Sequence, residues 1–239
     1  MKDYETYARK YPAIVSMVVP AFATAPIILY YLPQLQEYCS YIEALIGVFI
    51  PIGIVYGAIG YYIRQTFRDI SKLLFQLPLF KEDETEMPTT KLLLWSSKKR
   101  LSNNKIQIVA AKVQKDFQIR LLNATEEEKD LIEAKKTIVD AVGAIREVTR
   151  DNAILLNYNI DFGFCRNYLG GAVCATILLL IAFLLNVFAG AGNWAFTLVL
   201  IFIQILLGLI DFITLKQKGY RYARALFDAY IGEHKDQMK

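Results

Sequence analysis

The sequence predicts an all-α integral membrane protein, with four transmembrane helices arranged as two hairpins around a helical cytoplasmic domain. Four apolar runs, at residues 13–32, 42–63, 168–189 and 194–215, match the ~20 residues that a spanning helix needs. Apolar residues make up 55% of the 239-residue chain and charged residues 21%, with a mean hydropathy of +0.31. The charge is gathered into blocks between the runs rather than spread evenly. Those blocks carry the Lys and Arg, while the connections at 34–41 and 190–193 carry none.

The leading segment is polar, with Lys2, Arg9 and Lys10. The first run contains Pro20 and Pro26 and is closed by Pro33. Proline lacks a donor and crowds the preceding turn, so a kinked helix is expected there, which membrane helices tolerate when neighbours satisfy the backbone. A cleaved signal peptide, cut after Ala23-Thr24-Ala25, is the rival. The apolar run continues past that point to Leu32, and Asp3 and Glu5 precede it, so it is read as a retained span.

Residues 34–41 are expected to form a short loop. The second run is bordered by Tyr41 at one end and by Tyr61 and Tyr62 at the other, as interfacial aromatic belts predict. Gly53, Gly57 and Gly60 fall on one face, and Gly53 with Gly57 makes a GxxxG spacing that lets another helix approach. Packing within the chain is favoured over a dimer contact.

The helix continues as an amphipathic stretch over 64–77, in which Ile63, Phe67, Ile70, Leu74 and Leu77 recur at helical steps. Pro78 and the acidic KEDETE run are expected to end it. Leu92–Trp95 could be a strand or a helical turn. Ser102 predicts an N-cap for a helix with Ile106, Val109, Val113 and Phe117 on one face. Thr125 with Glu128 fits a capping box. A helix of roughly six or seven turns is expected from there to Arg150, with Leu131, Ile138, Val142, Ile145 and Thr149 as its buried stripe. The expected domains are 1–63, a first hairpin; 64–161, a cytoplasmic helical domain; 162–215, a junction and second hairpin; and 216–239, a tail helix. Tyr222, Leu226, Phe227 and Tyr230 suggest that this tail is amphipathic and lies against the bilayer or the middle domain.

Positive charge near the membrane marks the cytoplasmic side. Both termini and both ends of the middle domain are therefore placed on the cytoplasmic side. The net charge of +4 gives no global support for nucleic-acid binding. The three cysteines, Cys39, Cys165 and Cys174, are odd in number and widely spaced, and Cys174 lies in an apolar run. Neither a disulfide framework nor a metal site is indicated. The single histidine, His234, and the absence of HExxH, GxSxG, Walker A and CxxC patterns argue against an enzyme and against a cofactor.

Polar residues inside a membrane are costly and become functional candidates. Asn186, Gln204 and Asp211 qualify, as does Glu43 near the outer end of the second run. Glu43 and Asp211 lie close to an interface, and Gln204 near mid-bilayer can bond a neighbouring helix. The densest polar stretch is 157–171, NYNIDFGFCRNYLGG. If it is helical and continuous with the third run, Asn159, Gly163, Arg166, Asn167 and Gly170 share a face, with Asp161 close by. That face suits either a coupling element between the middle domain and the spans, or a tight structural junction anchored by Arg166.

The spacing of Asn159, Phe162, Gly163, Phe164, Arg166 and Asn167, with Pro88-Thr89-Thr90 and Thr149-Arg150-Asp151 upstream, resembles a family of small bacterial four-helix, multi-pass membrane proteins of unassigned activity. The resemblance covers the middle domain and the start of the third run. It implies a bacterial inner-membrane location and brings no catalytic residues. The expected function is an oligomeric effector or channel-like assembly in the lipid bilayer, whose cytoplasmic domain senses a ligand or protein partner. The alternative is an adaptor that docks a soluble partner at the membrane.

Overall fold

The computed structural model describes residues 3–49, 52–81, 84–190 and 192–236, and side chains outside 32–56 and 233–236. Among the described residues every regular element is helical. A π-helical turn, Thr6–Lys10, leads into α1 (Tyr11–Phe49). Next come α2 (Ile52–Ser71), a second π turn (Lys72–Gln76) and α3 (Leu77–Phe80). A 3₁₀ turn (Glu84–Glu86) precedes α4 (Pro88–Leu93), α5 (Asn103–Phe117), α6 (Ala124–Lys129) and α7 (Leu131–Val148). The chain closes with two long helices, α8 (Ala153–Phe188) and α9 (Trp194–Asp236). Three helical stretches, Thr6–Tyr31, Ala153–Phe188 and Trp194–Gly232, are long and apolar enough to cross a membrane.

The chain divides into two compact units. The charged unit holds 1–4, 76–162 and 215–239, and the apolar unit holds 5–75 and 163–214. Thus α8 and α9 each contribute residues to both. The tail, set apart as its own segment in the sequence, belongs to the charged unit, and 64–75 belongs to the apolar one.

The charged unit has a conventional core. Leu92, Leu93, Ile106, Val109, Val113, Ile138, Val142 and Ile145 are buried together with Ala223, Leu226, Phe227 and Tyr230 of α9. Burying such side chains stabilises by roughly 1.5–3 kcal/mol each, and α9 supplies a full face of them. Ser102 caps α5, accepting from the Lys105 amide at 3.4 Å. Gln118, at φ 59, ends it in the left-handed region.

Several expectations are corrected. Residues 34–41 are helical, so α1 passes unbroken through Pro33 and ends at Phe49. That segment contains no glycine or second proline, and its Gln, Leu and Glu are good helix formers. The hairpin turn assigned to 34–41 is therefore not there. Pro78 does not stop the helix, which runs on through the π turn to Phe80 and ends at Lys81, the first residue of the acidic run. Of the two readings left open for 92–95, Leu92 and Leu93 take the helical one, in α4. The capping box is formed by Asn123 and Glu126, not Thr125 and Glu128: the Asn123 side chain accepts from the Glu126 amide, and the Glu126 carboxylate from the Asn123 amide, both at 3.0 Å. That short helix stops at Lys129, and Asp130 caps a new one, α7, accepting from the Glu133 amide at 2.9 Å. Leu131, at its first position, is 42% exposed rather than buried.

Candidate functional site

In the apolar unit, the polar start of α8 forms a close-packed junction. Gly170 lies against α2, where a Cβ would stand 2.7 Å from the Phe67 carbonyl carbon and 3.1 Å from Ser71 Cβ. A Cβ on Gly171 would stand 2.7 Å from Ser16 Cβ of α1. Such distances leave room for hydrogen only, so α8 meets the α2 backbone at Gly170 and the Ser16 side chain of α1 at Gly171, the use small residues have in membrane packing.

Hydrogen bonds fasten the same place. Asn167, 3% exposed, donates from Nδ2 to the Ala8 carbonyl at 2.6 Å. Ala8 lies in the first π turn, where the widened ladder leaves a carbonyl accessible. Ser71, the last residue of α2 before the second π turn, donates from Oγ to the Arg166 carbonyl. Cys165 donates from Sγ to the Asp211 carbonyl of α9 at 3.1 Å. Lys72 is pulled below its ordinary range by burial and then by Arg68 and Arg166, with Arg9 also close enough to act on it.

Of the residues singled out in the sequence, Gly163, Asn167 and Gly170 are buried in this unit, and Arg166 contributes its carbonyl and its charge. Asn159 and Asp161 are not part of it: they belong to the charged unit, and Asp161 is exposed. Asn159 lines a cavity of about 340 Å³ with Arg146, Thr149, Arg150, Leu155 and Tyr222, which brings the Thr149-Arg150 pair and Asn159 to one place. Arg146 faces Tyr222 there.

The intramembrane polar residues differ from one another. Asn186 donates from Nδ2 to Thr197 Oγ1 at 2.8 Å, joining α8 to α9 beside the 190–193 connection. A Cβ on Gly192 would lie 2.8 Å from Asn186 Oδ1, so the amide end of Asn186 would have to shift to admit one. Gln204, 1% exposed, sits beside the Tyr168 side chain. It borders an open apolar groove of about 280 Å³ with Ala172, Thr176, Gly208 and Phe212. Asp211 takes part through its carbonyl, which also accepts from Thr214 Oγ1 at 3.3 Å. Gly57 and Gly60 have open space around them, with no described atom within 4 Å of where a Cβ would stand, and the side-chain environment of Gly53 lies outside the described residues.

Sequence reasoning missed Ser16, Ser71 and Gly171. The Gly170-Gly171 pair was a signal for the last, but the two serines carry none until their partner helix is known. Also missed was Glu127, 2% exposed, whose carboxylate accepts from the Trp95 amide at 2.9 Å and the Ser96 amide at 2.8 Å. Among the described residues, no three His, Cys, Asp or Glu side chains gather as a metal would require. Comparisons with protein-family models, with curated proteins and with solved structures gave no match.

Proposed function

We propose that the chain is a bacterial inner-membrane protein with four spans and both termini in the cytoplasm. It works as an oligomeric effector or channel-like assembly. Its cytoplasmic unit senses a ligand or partner and alters the packing of the membrane helices. The observation that carries this is the continuity of α8 and α9, which at 36 and 43 residues are about 54 and 65 Å long. Each has residues in both units, so the helix that packs in the charged unit continues into a membrane segment. The glycine contacts of α8 support the same reading, because helices in backbone contact shift between discrete packings rather than yielding gradually.

The test is to measure the mass of the full chain in mild detergent together with dye and ion leakage from liposomes that contain it. An oligomer that raises permeability is the expected result. A strict monomer with no permeability change overturns the proposal, and retention of a soluble partner without leakage favours an adaptor.

A further inference from the structure

In the charged unit, the first turns of α8 and the last part of α9 line an open cleft of about 550 Å³, bordered by Asn152, Ile154, Tyr158, Arg221, Arg224 and Asp228. That volume is in the range of small-molecule sites. Arg221 and Arg224, three positions apart on α9, lie on one face and are both exposed. Neither guanidinium has an ion pair or hydrogen bond with a described residue. The carboxylate in the cleft, Asp228, is already held by Lys105, so it leaves the guanidinium charge largely uncompensated.

Asn152 adds to the positive character. Its Oδ1 accepts from the Ile154 and Leu155 amides at 3.1 and 3.0 Å, which sets the start of α8 in the cleft wall with the positive end of its dipole. Ile154, 69% exposed, and Tyr158, 39% exposed, contribute apolar and flat surface. A water-exposed isoleucine beside an aromatic ring and two unpaired guanidiniums is a combination that a solvated helix face gains nothing from, but that an amphiphilic anion would cover.

We infer that this cleft binds a phosphate-bearing small molecule with a flat or apolar portion. The phosphate sits on the Arg221 and Arg224 guanidiniums, whose forked donors match phosphate oxygens, and the flat portion sits against Tyr158. The inference gives a ligand class to the sensing step proposed above and rests on that reading only for the consequence of binding, not for binding itself.

The test is calorimetric titration of the full chain in nanodiscs of zwitterionic lipid, using inorganic pyrophosphate, a purine nucleoside diphosphate and the free nucleoside. The two phosphate probes bind, with affinity that falls as salt rises, and the nucleoside alone does not. Arg221→Ala and Arg224→Ala each weaken binding at least tenfold. Tyr158→Ala weakens the nucleoside diphosphate several-fold and leaves pyrophosphate unchanged. Because both arginines are exposed, the variants keep the wild-type unfolding midpoint, which separates lost binding from lost fold. Repeating the titration in discs that contain phosphatidylglycerol distinguishes the phosphate sources: competition by the lipid supports the same site with a headgroup as its natural occupant. Equal affinity of wild type and the double arginine variant, or no binding of either phosphate probe in either lipid, overturns the inference. Permeability is not read, so failure of the effector proposal would leave this result intact.

Discussion

Gly170 and Glu127 show how much a single position can decide in this chain. Gly170 has nowhere to place a methyl group, because the obstacle is the Phe67 backbone rather than a movable side-chain end. Gly170→Ala should therefore destabilise by about 1–3 kcal/mol through overpacking, despite the better helix propensity of alanine. Thermal unfolding in detergent checks this, with Gly57→Ala as the contrast, since no described atom lies within 4 Å of a Cβ there and the change should be neutral or slightly stabilising. Glu127 is the opposite case, a buried carboxylate whose worth lies in two backbone donors that nothing else satisfies. Glu127→Ala should cost roughly 2–4 kcal/mol, because charge-assisted bonds are lost and two amides are left without a partner. Neither effect could be read from the sequence. A glycine in an apolar run and a glutamate in a Glu-rich stretch look ordinary until the opposing atoms are in place.

Among the elements, the connection before α4 has the clearest pH signature. Glu86 bonds Lys135 of α7 and Lys91 of α4, the latter at 3.0 Å, and these hydrogen bonds hold its carboxyl at about 2, below the ordinary 4.5. A depressed folded-state value means that the bridge stabilises fully above the ordinary value and is lost as pH falls from there toward 2. The unfolding-midpoint difference between wild type and Glu86→Gln should thus be constant above about pH 5 and shrink between pH 5 and 2. Helix starts are readable where the signal is local. Ser102 caps α5 as its hydroxyl and spacing predict. The α6 cap is misplaced in the sequence because Asn123 with Glu126 and Thr125 with Glu128 satisfy the same local pattern, and only the observed bonds choose between them. The 34–41 stretch misleads for the reverse reason: a drop in hydrophobicity there suggests a loop, although the segment contains nothing that breaks a helix.

For the whole molecule, the decisive point is where the last helix belongs. Ala223, Leu226, Phe227 and Tyr230 are all at most 1% exposed within the core of the charged unit. Removing everything after residue 216 should therefore unfold that unit rather than trim a tail, which limited proteolysis and loss of cooperative melting would reveal. Phe227→Ala alone should cost about 3–5 kcal/mol. The amphipathic spacing of Tyr222, Leu226, Phe227 and Tyr230 announced a buried face but left open whether it met lipid or protein. The sequence by itself determined that the chain is helical, that it carries long membrane-competent segments, and that its charge is confined to separate blocks. These follow from hydrophobicity and periodicity, which are sums over neighbouring residues. Only the tertiary structure decided that α1 runs through its expected loop, that Ser16 and Ser71 meet the glycines of α8, and that the tail completes the core of the middle segment. Each of those depends on which surfaces meet across long sequence separations, and a burial pattern along one helix does not name the surface that covers it.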